Sequence, residues 1–273
     1  MDFKKIISQT DRYNFHSHTQ YCDGRADVAE MAAAAVDCGM IHYGFTPHSP
    51  IPFASPCNMD AGDVEAFLAD VAGMNELYRG RCTFYAGMEV DYIDADWGPS
   101  SPYFSELPLD YKIGSVHFIP DFDGEPVDID GHFDSFSRKM RDRFRNDADY
   151  VVDTFYARSR AMIEAGGFDI LGHFDKVGQN VSAYAPGIED GAHYRSQVDS
   201  LIEMIVERGI VVELNTKAFR EHFRFFPGER YLPRLVDAGV TIVVNSDAHY
   251  PDRIDASRRE ALQILERLSH AES

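Results

Sequence analysis

The sequence predicts an α/β fold organised on a mainly parallel sheet, and three features predict it. Segments of strand character alternate with segments of helical period through most of the chain, the pattern of βα units whose helices cover a sheet. The 273 residues, 44% of them apolar, can bury one large core, and an α/β barrel of roughly 200–250 residues is ordinarily one domain. Side chains of the kinds that bind metal ions recur where the strands end. A barrel and a doubly wound sheet both satisfy the alternation. No linker composition interrupts the chain, so one domain over 1–273 is expected.

Arg12 to His18 reads as the first strand, a loop follows through Asp23-Gly24, and a helix runs from about Asp27, whose carboxylate can cap it, to Cys38 with Gly39 as the stop. His42 to Thr46 is the second strand. The proline-rich stretch 47–56 cannot continue a central strand and should be loop. A helix from about Asp63 to Tyr78 precedes a third strand, Thr83 to Val90, with Glu89 near its end. Tyr111 to His117 is the fourth strand.

Residues 119 to 134 are acidic and turn-rich. Asp121, Asp123 and Glu125 mimic the start of a calcium loop, but Pro126 stands where such a loop needs glycine and no glutamate closes it, so a solvated insertion is expected. Helical segments fill Ser135 to Gly166, with a break near Asn146-Asp147, and Asp169 to His173 is a short fifth strand. Tyr194 to Glu207 is a helix stopped by Gly209, and Ile210 to Asn215 is a buried sixth strand. Leu232 to Ala238 is helical, Thr241 to Ser246 is the seventh strand, and a helix over about Ala256 to Leu268 carries an apolar stripe at 261, 264, 265 and 268.

Composition narrows the function. The formal charge of −19, from 45 acids against 26 Lys and Arg, repels phosphodiester backbones at long range, so extended nucleic acid is a poor partner. The N-terminal stretch lacks the apolar core of a secretory signal and no run approaches eighteen apolar residues, so a cytoplasmic protein without membrane partners is expected. Cys22, Cys38, Cys57 and Cys82 show no CxxC spacing and read as reduced thiols.

In an extended strand side chains alternate between faces, so His16 and His18 point the same way and can grip one ion. A site needs three or four ligands, and the other strands offer them. Six of the seven strands end in or just before His16/His18, His48, Glu89, His117, His173 or Asp247/His249. Strand C-termini of a parallel barrel share one face, so these residues, with Asp23 from the first loop, should converge there in numbers too great for a single ion. A lone histidine at a strand end is more commonly a hydrogen-bonded structural residue; it is the recurrence that argues for ligands. His42, His132, His193, His222 and His270 lack that position or those neighbours and read as structural.

The ordered set His16-Ser-His18-Thr with Asp23-Gly24, Gly44-Phe-Thr-Pro-His48, Gly87-Met-Glu89-Val-Asp, Gly114-Ser-Val-His117, Gly172-His173 and Ser246-Asp-Ala-His249 resembles the polymerase and histidinol phosphatase (PHP) superfamily, and within it the histidinol-phosphatases, over nearly the whole chain. The resemblance implies a distorted (β/α)7 barrel with up to three metal ions at the C-terminal ends of its strands. It implies that His16, His18, Glu89 and Asp247 hold a first metal, that Glu89 bridges to a second held by His117 and His173, and that Asp23, His48 and His249 hold a third. Two positions depart from the family: Pro47 stands where members often carry an acid, and Asp23 where many carry histidine. Both bear on the third ion.

Mixed nitrogen and oxygen ligation suits Zn, Mn or Fe better than Mg. Two to three divalent cations can draw a small phosphate monoester into an acidic protein. The implied activity is hydrolysis of L-histidinol phosphate to L-histidinol and phosphate. Asp247 and His249 are the nearest candidates to serve the departing alkoxide, but a residue already ligating a metal is a poor proton donor, so the sequence assigns no general acid. Lys176 after the fifth strand, and Lys217 and Arg220 after the sixth, are candidates for the phosphate charge, and the run Phe219 to Phe226 for a lid or pocket wall. Asp91, Tyr92, Phe118 and Asp121 are candidates for the imidazole and ammonium. The alternative substrates are nucleotides or oligonucleotide ends. A non-enzymatic binding protein ranks last, because every motif position holds a ligating residue type.

Overall fold

The computed structural model describes residues 1–270, and the counts that follow refer to them. In chain order the strands are β1 (Tyr13–Asn14), β2 (His42–Phe45), β3 (Thr83–Asp91), β4 (Tyr111–Ser115), β5 (Phe118–Pro120), β6 (Pro126–Asp128), β7 (Ile170–Leu171), β8 (Val211–Asn215) and β9 (Ile242–Asn245). Seven of them form one sheet in the order β1-β2-β3-β4-β7-β8-β9, parallel at every pairing.

The sheet returns toward its first strand. Ser17 bridges Ala248, and His18 N donates to Ala248 O at 2.9 Å. Below that bridge, side chains replace the ladder: Asn245 Oδ1 accepts from Phe15 N at 2.8 Å and Asn14 Oδ1 from Ser246 N at 3.0 Å. The result is a nearly closed seven-stranded barrel. It also explains why β1 is shorter than the sequence suggests. Past Asn14 the backbone is held by asparagine side chains and single bonds, so residues 15–18 are extended without a continuous ladder.

The helices are α1 (Phe3–Gln9), α2 (Val28–Asp37), α3 (Val64–Leu77), α4 (Pro102–Glu106), α5 (Phe133–Asp142), α6 (Ala148–Ala165), α7 (Val177–Tyr184), α8 (Ala192–Arg208), α9 (Phe219–His222), α10 (Leu232–Asp237) and α11 (Arg258–His270). Asp27 caps α2 in a reciprocal capping box with Glu30, satisfying donors that the first turn would otherwise orphan. The expected break in the long helical stretch falls between α5 and α6, where Arg145 and Asn146 both take positive φ. The helix α1 is capped by Asp2, and its Phe3 ring packs edge-on against Phe15 and Tyr111, with centroids 5.1 and 5.5 Å away.

The face of each strand that bears the site is graded. Alternate positions read Tyr85, Gly87, Glu89 on β3, Tyr111, Ile113, Ser115 on β4, and Val211, Glu213, Asn215 on β8, apolar toward the strand start and polar toward its end. Phe3, Tyr13, Phe15, Tyr111, Ile113, Ile170 and Val243 form a dry cluster, with Tyr85 and Val211 packed against it. This cluster gives the polar ends of the strands a rigid base.

Residues 119 to 134 are not the solvated insertion that their acidity suggests. β5 and β6 pair as an antiparallel hairpin whose Ile119, Val127 and Ile129 are buried in the core. Asp121, 5% exposed, accepts from Asp123 N and Glu125 N at 2.9 Å each and from Arg143 Nε at 2.6 Å. Its carboxylate is spent on the turn and on Arg143.

Candidate metal centre

The polar strand ends meet in one place. His16 Nε2 lies 3.2 Å from Glu89 Oε2 and 3.9 Å from Asp247 Oδ1. His18 Nε2 lies 3.5 and 3.1 Å from the same two oxygens. On the other side of Glu89, Oε1 is 2.8 Å from His173 Nε2 and 3.5 Å from His117 Nε2. Glu89 thus presents one oxygen to each pair of histidines, the arrangement a bridging carboxylate needs. At the mouth, Asp23 Oδ1 lies 3.3 Å from His249 Nε2, 3.6 Å from His18 Nδ1 and 3.8 Å from His48 Nε2. His48 stands between two groups, because its Nδ1 is also 3.0 Å from Glu89 Oε2.

Local backbone sets these positions. After β2 the segment 47–49 runs on beside β3, with Glu89 N donating to Pro47 O and Ser49 N to Glu89 O, which delivers His48 over the strand end. Asp247 follows β9 with φ 49°, a left-handed conformation that aspartate tolerates better than most residues and that turns its carboxylate back toward His18.

The donor set fits metal ions. His16 Nε2, His18 Nε2, His48 Nδ1, His117 Nε2, Asp23 Oδ1 and Glu89 Oε2 are buried, and among the described residues none has a hydrogen-bond partner. Buried polar atoms are ordinarily paired, and an orphan costs about 1–3 kcal/mol. Here the orphans approach one another without bonding, their lone pairs aimed at shared points. Three overlapping groups have ligand atoms all within 4.8 Å of one another: His16, His18 and Asp247; His48, Glu89 and His117; and His18, Asp23, His48 and His249.

A second layer orients the histidines. Glu213 Oε1 accepts from His16 Nδ1 at 2.6 Å, Asp91 Oδ1 from His117 Nδ1 at 2.7 Å, and the Asp247 carbonyl from His249 Nδ1 at 3.0 Å. Each bond leaves Nε2 as the unprotonated nitrogen, without a partner at His16 and His117 and 3.1 Å from Lys217 Nζ at His249. Glu89 Oε1 also accepts from Ser115 Oγ at 2.7 Å. Sequence reasoning missed Glu213, although an acid in the middle of the apolar run Ile210 to Leu214 is a signal that could have found it.

Electrostatics follow from this crowding. Burial opposes charge on His16, but Glu213, Glu89 and Asp247 outweigh it and raise its pKa well above the usual value. Burial, His249 and His48 push His18 well below it. Burial also works against the Asp247 carboxylate, yet Lys217 and His16 hold its pKa well down.

Two cavities open on this face. The smaller, about 340 Å³, is lined by Asp23, His48, Asp91, His117, Phe118 and Lys217 among others. The larger, about 670 Å³, includes Lys176, Asn180, Lys217, Ala218, His222 and Arg224, and both share Asp130, Gly131 and Lys217. Lys217 Nζ is 3.3 Å from Asp247 Oδ1 and 3.1 Å from His249 Nε2. Lys176 Nζ pairs with Asp130 Oδ2 at 2.6 Å.

Arg220 is a correction: it is exposed and lines neither cavity. The single helical turn α9 turns Ala218 inward and stacks Phe219 on Phe225, centroids 4.2 Å apart, which leaves 220 on the outer side. Arg224 lines the larger cavity instead, anchored by two bonds of 2.9 and 2.6 Å to Glu189. The run 219–226 is therefore a pocket wall in this structure, through His222, Arg224 and Phe226. Of the residues considered for the imidazole and ammonium, Asp91 and Phe118 line the smaller cavity; Tyr92 and Asp121 do not.

The family model of the PHP domain matches residues 14–217. A histidinol-phosphatase of Bacillus subtilis is 25% identical over 252 residues, 86% of this chain and 92% of that protein. A protein of Deinococcus radiodurans named "probable histidinol-phosphatase" is 24% identical over 259 residues, 92% of this chain and 91% of its own length. Among solved structures, histidinol phosphate phosphatase of Lactococcus lactis, complexed with zinc, L-histidinol and phosphate, superposes with a TM-score of 0.71 at 15% identity, covering 94% of this chain and 93% of that one.

Proposed function

Since the chain belongs to the PHP family, we propose that it is a metal-dependent phosphomonoesterase that hydrolyses L-histidinol phosphate to L-histidinol and phosphate, the reaction of a step in histidine biosynthesis. The observation that carries the reading is the set of converging, buried and unpartnered ligand atoms at the barrel mouth. Two curated relatives that align over most of both chains carry the histidinol-phosphatase name, which favours this substrate over nucleotides.

His16, His18, Glu89 and Asp247 would hold one divalent ion, Glu89, His117 and His173 a second, and Asp23, His48 and His249 a third. Zinc is the favoured metal, given the nitrogen-rich donor set and the zinc bound by the Lactococcus protein, with Mn and Fe as alternatives. Bound ions supply Lewis acidity toward phosphate oxygens and lower the pKa of a water to near neutrality.

The chain's own groups do the rest. Lys217 spans both cavities beside Asp247 and His249, where its ammonium can meet a phosphate oxygen. Lys176 sits deeper, partly neutralised by Asp130, and adds longer-range positive charge. Asp247 and His249 would stand nearest the leaving oxygen, with Lys217 Nζ 3.3 Å from Asp247 Oδ1 and 3.1 Å from His249 Nε2. Phe118 offers an aromatic face to the imidazole end, and Asp91, bonded to His117 and Asn58, adds negative charge beside it. A cytoplasmic location is part of this reading, as the place of a step in amino-acid biosynthesis; among the described residues no helix is long and apolar enough to cross a membrane.

Elemental analysis of the purified protein, combined with turnover of histidinol phosphate, nucleotides and an aryl phosphate, tests the reading. Bound transition metal with preference for histidinol phosphate is expected; nucleotide turnover far above histidinol phosphate turnover would transfer the assignment to nucleotides.

A further inference from the structure

One fully buried carboxylate at the centre is not accounted for by the ligand set. Glu213 has 0% exposure and lies in the middle of β8, the one barrel strand with no ligand at its end. Its two oxygens are fully used. Oε1 accepts from His16 Nδ1 at 2.6 Å and Asn245 Nδ2 at 3.0 Å; Oε2 accepts from His173 N at 3.1 Å and Asn215 Nδ2 at 3.1 Å. A carboxylate has about four acceptor positions. Glu213 therefore has none to spare for an ion, and it belongs to none of the groups whose ligand atoms converge.

We propose that Glu213 is the positioning residue of the metal centre, holding His16 as the Nδ1–H tautomer with Nε2 toward Glu89 and Asp247 while it fixes the turn that carries His173. The reach extends to a third ligand, because Asn215 Nδ2 also lies 3.1 Å from Asp247 Oδ2. One buried acid thus ties β1, the β7 loop, β8 and β9 together beneath the two ions that Glu89 would bridge. The mouth group of Asp23, His48 and His249 has no bond to Glu213 among the described residues.

The role requires a carboxylate. Glutamine is nearly isosteric, but its oxygen can satisfy only one of the two donor pairs. The amide NH2 must then face either His16 Nδ1–H and Asn245 Nδ2 or His173 N and Asn215 Nδ2, donor against donor. Asn215 cannot turn its amide over without cost, because its Oδ1 already accepts from Lys217 N at 3.0 Å. Glu213→Gln therefore disturbs ligand geometry while nearly preserving volume.

The inference rests on the metal-centre part of the proposed function, and its readout is metal binding, so it stands or falls apart from the substrate assignment. Zinc-loaded wild type and Glu213→Gln are titrated with a chelator, with elemental analysis at each step and circular dichroism as the check on folding. The variant is expected to release the zinc of the His16 and His173 side about 10–100-fold more readily, the usual effect of losing a ligand's orienting partner, while the ion of the mouth group is unchanged. A folded variant with wild-type zinc affinity at every ion overturns the proposal. Should the variant not fold, long-range proton–nitrogen NMR of zinc-loaded wild type decides. A proton on His16 Nδ1 supports the role, and a proton on Nε2 with Nδ1 toward the ion overturns it.

Discussion

Asp91 Oδ1 lies 2.7 Å from His117 Nδ1, both side chains almost fully buried, and the bond leaves His117 Nε2 facing Glu89 across 3.5 Å. Burial works against a charge on this imidazole, but Asp91 and Glu89 together push its pKa up to about 9. Asp91→Asn should keep the fold and lower metal content on the His117 side by about 10–100-fold in affinity, read by elemental analysis after mild chelation. Unchanged content would assign Asp91 to the pocket wall alone.

Removing a ligand should have a larger effect than removing an orienting partner. His16→Ala and Glu89→Ala are each expected to lower kcat more than about a hundredfold and to reduce bound metal, Glu89→Ala by more than one equivalent because its oxygens face two histidine pairs. Full metal and full rate in both variants would overturn the ligand assignment.

Lys217 is expected to act on phosphate rather than on metal retention. A charge-assisted hydrogen bond contributes about 1.5–3 kcal/mol, so Lys217→Ala should reduce kcat/KM by roughly 10–100-fold with metal content near wild type. Arg220→Ala, outside both cavities, should leave the constants within about twofold of wild type. Steady-state kinetics on the two variants separate them.

The Glu189–Arg224 pair should govern acid stability of the pocket wall. Burial alone would raise the pKa of Glu189, but Arg224 more than offsets it and the folded value lies below the ordinary one. A depressed carboxylate contributes stability above its unfolded pKa and loses it as pH falls through the folded value. Tm should therefore fall more steeply for wild type than for Glu189→Gln below about pH 4.5. At neutral pH, Glu189→Gln should cost roughly 2 kcal/mol, less than a fully buried pair, because Arg224 keeps Asp175 at 3.5 Å and is partly exposed.

A packing test concerns the barrel base. A Cβ on Gly44 would stand 1.8 Å from Tyr111 Oη, whose hydroxyl is buried and donates to Phe15 O at 2.6 Å. Gly44→Ala should cost about 3 kcal/mol or more in urea unfolding, whereas Gly62→Ala, with open space around it and no positive φ, should change stability by under about 0.5 kcal/mol.

What the sequence by itself determined is the order of the elements and the residue types at the strand ends. Strand and helix signals are local, and a ligand at the end of a strand such as His117 or Asp247 can be placed from pattern alone, since parallel strands share their C-terminal face. The tertiary structure decided everything that depends on pairing across the chain. It turned the acidic segment 119–134 into a hairpin because Ile119, Val127 and Ile129 reach the core, and it set Arg220 outside on a single turn of helix while Arg224, beyond that turn, faces inward. It alone joined Glu213 to His16, 197 residues apart in the chain, by a bond that no local pattern encodes. A lone acid in an apolar run signals a buried partner, but only closure of the barrel, which brings β9 round to β1 with β8 next to it, chooses which histidine that partner is.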